Sequence, residues 1–300
     1  MPFSIAGNLL EAEGAKILAE ALHVNSSMNK LNVLSNNIGD EAYEILTQVA
    51  EEKHILTLVG FDEGQTEADL SNKRLGSIDA KLIARELTTG FVSSSMKKIK
   101  VNECELPIDV LKTGVEVDLS SQKLRVEDAI IIAACVNVST SMNSVDLSSN
   151  ELCGPSYARD YSGIKAIADA LSVSRSLTSV NLANNNLTWT GSKFDYTGIE
   201  AIAEALKFSS SMASLNLASN KLVEAQLKLT KGARVTVDGQ SGVISYGPDS
   251  DKEYKVKFDA GSESGYLKAD KLQTRAITYT TGVQAIADAL SVSTSMTSLK

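Results

Sequence analysis

The stretch "VDLSSNEL", residues 145–152, recurs along this chain with small changes. Copies of it begin at residues 31, 117, 180 and 215, and weaker copies begin at residues 3, 68 and 99. Each has apolar residues at offsets 0, 2 and 7, and most have asparagine at offset 5, where Lys73, Cys104 and Gln122 are exceptions. Because alternate residues of a strand point to one side, offsets 0 and 2 predict a short strand facing a core. The residue at offset 7 returns to that core after a bend. The asparagine at offset 5 is expected to hydrogen-bond the backbone of this bend and that of the bend in the neighbouring copy.

A helix is expected after most of these strands. The segments "GIKAIADAL", "GIEAIAEAL" and "GVQAIADAL", which begin at residues 163, 198 and 282, place apolar residues on one helical face. Thr197 with Glu200, and Thr281 with Gln284, have the spacing of a capping box. The copies in 56–68 and 99–117 are short or degenerate. Residues 56–70 are expected to form two strands joined by a tight turn, without a helix.

These repeats resemble leucine-rich-repeat proteins of the ribonuclease-inhibitor-like class, which occurs in NLR receptors and Ran GTPase activators. The resemblance covers residues 1–224 and 277–300. It implies an α/β solenoid in the form of a horseshoe, with parallel strands on the concave face and helices on the convex face. The concave face then carries the side chains at offset 1, here called the strand-face row: Asp69, Lys100, Asp118, Asp146, Asn181 and Asn216. This mostly acidic or neutral row suits a basic protein partner, or it is a solvated polar surface.

Two copies are longer than the others. The spacing from 145 to 180 and from 180 to 215 is 35 residues, against 28 from 117 to 145, and the extra residues fall between bend and helix. We call residues 153–163 the first rim loop and residues 184–198 the second rim loop. Exposed Tyr, Trp and Arg side chains dominate binding energy at interfaces; alternatively, the loops fold back and bury their aromatics. The candidate contact residues are Tyr157, Arg159, Asp160, Tyr161, Trp189, Lys193, Phe194 and Tyr196.

Residues 225–276 have a different pattern. Alternating runs such as "EYKVKF", residues 253–258, are separated by glycine-containing turns, which predicts a small antiparallel barrel. The segment resembles SH3-like barrels of the Tudor and KOW kind, inserted between the solenoid (1–224) and its truncated last repeat (277–300). That resemblance implies an aromatic cage for a methylated side chain, with Tyr246, Tyr254, Phe258 and Tyr266 as candidates. Because Tyr254 and Phe258 alternate with lysines, they are alternatively expected to form the core of the barrel.

Composition narrows the classes of function. The net charge of −8 argues against a general nucleic-acid binder. Residues 226–275 hold nine basic and seven acidic residues, a net charge of +2, so contact with RNA or an acidic peptide is an alternative for the barrel alone. The two histidines and three cysteines form no catalytic or metal-ligand pattern, and no phosphate-binding loop is found, so we expect no enzyme, metal or cofactor. Without a signal peptide or a membrane-length apolar run, a cytoplasmic or nuclear location is expected.

The sequence therefore favours a non-enzymatic scaffold that binds a partner protein through one composite surface of rim loops, concave face and barrel. A GTPase-activating or NLR-like regulatory role, a barrel-mediated reader of modified peptide or RNA, and a structural subunit are the alternatives. Neither end of the chain carries the polar cap that repeat arrays need, so end-to-end contacts or a longer array are expected.

Overall fold

The computed structural model describes residues 3–188, 195–222, 234–238, 240–251, 253–268 and 281–300. The chain divides into two compact units: the first unit is Met1–Leu222 with Thr281–Lys300, and the second unit is Val223–Thr280. The fold is mixed α/β, with eight helices and a parallel sheet among the described residues. None of these helices is both long enough and apolar enough to cross a membrane.

The secondary-structure elements of the two units are as follows. The helices of the first unit are α1 (Glu11–Val24), α2 (Asp40–Glu52), α3 (Ser77–Thr88), α4 (Ile108–Thr113), α5 (Val126–Val138), α6 (Ser162–Val173), α7 (Thr197–Phe208) and α8 (Thr281–Val292). Its strands are β1 (Phe3–Ser4), β2 (Leu31–Asn32), β3 (Glu67–Asp69), β4 (Lys98–Lys100), β5 (Glu105–Pro107), β6 (Glu116–Asp118), β7 (Ser144–Asp146), β8 (Ser179–Asn181), β9 (Ser214–Asn216) and β14 (Ser298–Leu299). The second unit contains β10 (Arg234–Val237), β11 (Gln240–Tyr246), β12 (Glu253–Phe258) and β13 (Leu267–Lys268).

Five strands of the first unit form one parallel sheet, in the order β14, β9, β8, β7, β6. Equivalent residues of successive copies lie opposite one another: Val117 opposite Val145, Val145 opposite Val180, and Val180 opposite Leu215. Strand β14 follows the second unit in the chain, yet it pairs with β9 in the same register, with Leu299 opposite Leu215. Val117, Val145, Val180 and Leu215 are all buried, which confirms the strand positions predicted from the apolar offsets.

The predicted helices bury one apolar face each. Helix α6 buries Ile164, Ile167 and Leu171, and α7 buries the three residues at the same positions. The predicted capping box of α7 is wrong, because Thr197 is the first residue of the helix rather than the residue before it. The carboxylate of Asp195 accepts hydrogen bonds from the Thr197 hydroxyl at 2.7 Å and backbone N–H at 3.0 Å. The side chain of Thr281, in the second predicted box, lies outside the described residues.

Buried asparagines join each bend to the preceding one. Asn150 Nδ2 donates to the carbonyl of Leu147 at 2.9 Å and, in the preceding copy, to that of Leu119 at 3.0 Å. Its Oδ1 accepts the backbone N–H groups of Gln122 and Leu124 at 3.1 and 3.0 Å. The offset-5 asparagines of three other copies likewise donate to a carbonyl of the preceding copy and to their own bend: Asn36, Asn185 and Asn220. This confirms the role predicted for offset 5.

The repeat pattern is interrupted between α2 and β6. No helix lies between α2 and β3, as predicted, but the first of the two expected strands is reduced to isolated bridges from Thr57 to Lys30 and from Val59 to Asn32. Strand β4 is followed by an antiparallel partner, β5, and by the short helix α4. As a result, β3, β4 and β5 form a sheet separate from the five-stranded one.

Buried carboxylates accept hydrogen bonds in and around this interrupted region. Asp79 Oδ1 accepts the backbone N–H of Ser35 at 2.8 Å. Asp128 Oδ2 accepts the side-chain amide of Asn102 at 3.0 Å. Glu86 Oε1 accepts a backbone N–H of the bend after α2 at 2.7 Å. Burial raises the pKa of all three carboxyls, and it raises that of Asp128 from 3.8 to about 6.

The four strands of the second unit form an antiparallel sheet in chain order. Its small core contains Ile244, Tyr254 and Val256, and Phe258 packs against it. Side chains of a strand alternate between its two faces, so Tyr254 and Phe258 point to the core side, away from Lys255 and Lys257. The core placement of these two aromatics is thereby confirmed.

Candidate functional site

The strand-face row lies across two sheets of the first unit. In the five-stranded sheet, Asp118 lies opposite Asp146, Asp146 opposite Asn181, and Asn181 opposite Asn216. In the three-stranded sheet, Asp69 lies opposite Lys100. Neighbouring strands lie about 4.8 Å apart. The structure therefore brings the six predicted residues together as a set of four and a set of two.

Each Asp or Asn of the strand-face row holds the turn that follows its own strand. Oδ1 of Asp118 accepts the backbone N–H of Ser120 at 2.9 Å. The other four side chains accept the N–H two residues further on at 2.8–3.1 Å: Asp69, Asp146, Asn181 and Asn216. Such Asx turns favour Asp and Asn over other residues. The residue type at offset 1 thus has a structural cause that sequence reasoning missed.

The aspartates of the row differ in whether their carboxylates have further partners within the chain. Asn181 Nδ2 donates to Asp146 Oδ2 at 2.8 Å, so this oxygen of Asp146 is used within the sheet. Asp69 and Asp118 are exposed and belong to no ion pair among the described residues. Hydrogen bonds from Ser71 and Ser120 hold the pKa of the two carboxyls below 3.8. Both are therefore charged and accessible at neutral pH.

Arg159 and Asp160 of the first rim loop make hydrogen bonds within the first unit. The Arg159 guanidinium donates to the carbonyl of Gly154 at 3.1 Å and to the carbonyl of Asn186, in the next copy, at 2.5 Å. Asp160 Oδ1 accepts the backbone N–H of Ser162, where α6 begins, at 2.8 Å. These bonds join the loop to its own helix and to the following bend.

The tyrosines that precede α6 and α7 pack against the next helix. A Cβ atom added to Gly198 would lie 3.5 Å from Cδ1 of Tyr161, and one added to Gly282 would lie 2.7 Å from Cδ1 of Tyr196. Both rings are half-buried, and burial followed by the charge of Asp195 raises the pKa of Tyr161. For these two tyrosines the structure supports the alternative in which the loops bury their aromatics.

Tyr157 is the predicted contact residue most open to solvent in the first rim loop, with 89% of its surface exposed. In the second rim loop, the predicted contacts Trp189, Lys193 and Phe194 lie outside the described residues. The rim loops thus offer one accessible aromatic side chain for which the structure gives a placement.

Tyr246 and Tyr266 of the second unit form a pair on the surface of its sheet. Their ring centroids lie 6.2 Å apart with the planes at 84°, and about half of each side chain is exposed. Lys255 Nζ lies 4.6 Å from the centroid of the Tyr266 ring. A cation of the chain itself therefore occupies one face of this pair.

A groove of about 580 Å³ lies beside β4 in the first unit, and sequence reasoning missed it. The neighbouring bends each contain two residues in the left-handed region: Asn72 and Arg74 on one side, and Ser121 and Lys123 on the other. After β4 the chain turns back as β5 and makes no such bend, so the space between the neighbours stays open. The short spacing of 18 residues between the copies at 99 and 117 is the signal that could have revealed it.

Charged side chains of both signs line this groove, which we call the β4 groove. Its polar lining includes Arg74, Lys100, Asn102, Arg125, Glu127 and Asp160. Glu103, also in the lining, lies 2.8 Å from Lys123 Nζ and 3.5 Å from the Arg125 guanidinium. Arg74 and Lys100 belong to no ion pair within the described ranges.

The cysteines and histidines show no reactive arrangement in the described part of the chain. Cys104, Cys135 and Cys153 are buried as free thiols, and burial raises the pKa of Cys135 and of Cys153 to about 12. Such thiols are protonated at neutral pH and are poor nucleophiles. No group of three or more His, Cys, Asp and Glu residues that could hold a metal ion occurs among the described residues.

Comparison with known proteins does not assign a function to these surfaces. No protein-family model matches the chain, and no curated protein matches it.

Proposed function

We propose that this chain is a leucine-rich-repeat solenoid with an inserted SH3-like barrel, and that it recognises a partner protein without chemistry of its own. The repeat assignment is supported by the in-register pairing of β6, β7, β8, β9 and β14 and by the buried asparagines that join successive bends. The barrel assignment is supported by the antiparallel sheet of the second unit and its separate small core.

The observation that carries the proposal is the strand-face row. Its residues lie at the spacing of adjacent strands, about 4.8 Å, on a surface made of short polar side chains. Half-buried serines at the preceding offset pair in the same register and form a second parallel line: Ser144, Ser179 and Ser214. Two ordered lines of small hydrogen-bonding groups suit an extended protein surface better than an enclosed small molecule.

The charge of the row indicates the chemistry of the partner. Asp69 and Asp118 are exposed carboxylates, each with one oxygen that accepts the backbone N–H of its turn. The partner segment proposed for this row therefore carries Lys or Arg side chains. Tyr157, on the first rim loop, supplies an exposed aromatic side chain for the same partner.

The test removes charge while keeping the turns. In the double variant D69N/D118N, the new amide oxygens still accept the N–H groups of the turns, as Asn181 and Asn216 already do. Affinity capture from lysate, quantified by mass spectrometry, should recover the partner about two- to thirtyfold less with this variant, because two exposed ion pairs contribute about 0.2–1 kcal/mol each. Recovery with the unaltered chain should also fall as ionic strength rises.

The control is D169N/E200Q, which removes two charges from exposed positions on α6 and α7. Its captured proteins should match those of the unaltered chain. The proposal fails if D69N/D118N and D169N/E200Q capture the same proteins in the same amounts while both remain folded by thermal melting.

A further inference from the structure

The charges that line the β4 groove come from different elements. Arg74 and Lys100 come from the bend after β3 and from the end of β4, in the three-stranded sheet. Glu127 lies in the first turn of α5, and Asp160 lies just before α6. One part of the groove therefore attracts anions, and another part accepts hydrogen bonds or attracts cations.

The two cations at the first part are available to a ligand. Arg74 is exposed and Lys100 is half-buried, and neither belongs to an ion pair among the described residues. Glu103, a carboxylate in the same lining, contacts Lys123 and Arg125. Asp69 lies opposite Lys100 but forms no ion pair with it. An arginine and a lysine that line one groove can hold a carboxylate or a phosphate by charge-assisted hydrogen bonds.

The remaining lining favours a carboxylate over a phosphate. A phosphate monoester carries close to two negative charges at neutral pH, so Glu127 and Asp160 would repel it more strongly than a singly charged carboxylate. Glu127 Oε2 accepts the Asn102 amide at 3.1 Å, and a carboxylate has room for further donors. The volume of about 580 Å³ lies within the range of about 300–1,000 Å³ for sites that enclose small ligands.

We infer that the β4 groove binds a short peptide segment, with an Asp or Glu side chain at Arg74 and Lys100 and with N–H groups directed to Glu127 and Asp160. This inference rests on the proposed role in protein recognition and names a second contact for the partner. It uses Arg74 and Lys100, which the D69N/D118N test leaves unchanged.

The test measures direct binding of defined probes to the full chain. The probes are fluorescein-labelled, C-terminally amidated tetrapeptide pools in which one position is fixed as Glu, Gln or Lys and the others are randomised. By fluorescence anisotropy, the Glu-fixed pools should bind more tightly than the Gln-fixed and Lys-fixed pools. The variant R74Q/K100Q should weaken the Glu-fixed pools about tenfold or more, the usual loss for hydrogen bonds between charged groups.

Two further variants distinguish a specific site from general attraction. K165Q/R175Q removes the same charge from exposed positions on α6 and after it, and it should bind the pools as the unaltered chain does. R74E/K100E should reverse the preference from Glu-fixed to Lys-fixed pools. Thermal melting should show all three variants folded, because none of the four side chains makes an ion pair within the described residues.

Three results would overturn the inference: no binding of any pool, equal binding of the Glu-fixed pools by R74Q/K100Q, or an unchanged preference in R74E/K100E. Complete displacement of the Glu-fixed pools by millimolar inorganic phosphate would also overturn it, because it would reveal a simple anion site. D118N, which changes the strand-face row only in the five-stranded sheet, should bind the pools as the unaltered chain does. A negative peptide-binding result therefore does not contradict the strand-face proposal. Conversely, a negative affinity-capture result does not prevent the peptide-binding assay from testing the β4 groove.

Discussion

Residues 116–220 and residues 53–113 contain copies of the same repeat pattern, but the polar side chains at their bends differ in type and in hydrogen bonding. In the first region, neutral asparagines such as Asn150 and Asn220 are buried in the bends and bond both their own copy and the preceding one. In the second region a buried carboxylate accepts a backbone N–H of the bend, as with Glu86, or the bend is missing, as after β4. In the regular region the asparagines of the bends are engaged in hydrogen bonds between copies, whereas a lost bend leaves an open, polar-lined space.

The physical cause is the presence or absence of an equivalent neighbour. In a regular array every side chain has a partner one copy away at a fixed distance, so hydrogen-bonding groups are satisfied in series. Arg159 illustrates this, because it reaches the carbonyl of Asn186 in the next copy. Where a bend is lost, a neighbouring bend keeps a charged residue that meets no equivalent group across the gap, as with Arg74. The candidate ligand site therefore lies where the repeat fails.

The largest expected effect concerns the asparagines of the regular region. Asn150→Ala removes the bonds to the Leu119 and Leu147 carbonyls and to the N–H groups of Gln122 and Leu124. The Leu147 carbonyl keeps its bond from Asn185 Nδ2, but the Leu119 carbonyl and the N–H of buried Leu124 lose these side-chain partners. Unfolding free energy should therefore fall by about 3 kcal/mol. Urea denaturation followed by circular dichroism measures the change.

The matched control occupies the same offset in the irregular region. Lys73 is exposed, so Lys73→Ala should change the unfolding free energy by less than about 0.5 kcal/mol. Equal losses for the two variants would contradict the distinction between the two regions.

An intermediate effect concerns Asp128, at the boundary between the regions. Burial raises its pKa from 3.8 to about 6 in the folded chain, so the folded state holds an additional proton between these values. Stability from this group is therefore fully present below about pH 4 and is lost as the pH rises through 6. D128N removes this dependence, so its unfolding free energy relative to the unaltered chain should rise by on the order of 2 kcal/mol between pH 4 and pH 7.

Asp118 provides the comparison for that measurement. Hydrogen bonds from Ser120 lower its pKa, so its stabilising contribution is present above 3.8 and is lost as the pH falls. Urea unfolding of D118N at the same two pH values should show a smaller difference of opposite sign. If D128N and D118N changed in the same direction, the assignment of a protonated, buried Asp128 would be wrong.

The smallest effect concerns the tyrosines of the regular region. A Cβ atom at Gly282 would lie 2.7 Å from the Tyr196 ring, whereas the nearest atoms at Gly198 lie at 3.3 Å. Gly282→Ala should therefore destabilise the chain by about 1 kcal/mol relative to Gly198→Ala. In the background of Tyr196→Ala the cost of Gly282→Ala should disappear, which a double-mutant cycle on thermal unfolding can measure. A cost that persisted without the ring would show that Tyr196 does not set the space at Gly282.

Much of the fold could be predicted because its signals are local. The strands at 144–146, 179–181 and 214–216 follow from apolar residues two positions apart, and helices α6 and α7 from apolar residues three and four positions apart. The role of Asn150 was predictable because the same residue type recurs at the same offset. The contact residues were harder to predict, since a tyrosine or arginine in a loop has the same sequence appearance whether it is exposed like Tyr157 or engaged like Arg159.

The strands and helices of the regular copies follow from the sequence alone, because the spacing of apolar residues selects each local conformation. Which polar groups remain accessible depends on the tertiary structure, because their partners lie far away in the chain: Asn186 is 27 residues from Arg159, and Gly282 meets a ring from the preceding copy across the whole second unit. The tertiary structure also leaves an open groove beside β4, where Arg74 and Lys100 form no ion pair within the described part of the chain. An unfilled space arises from the packing of several segments at once, and no single segment of the sequence encodes it.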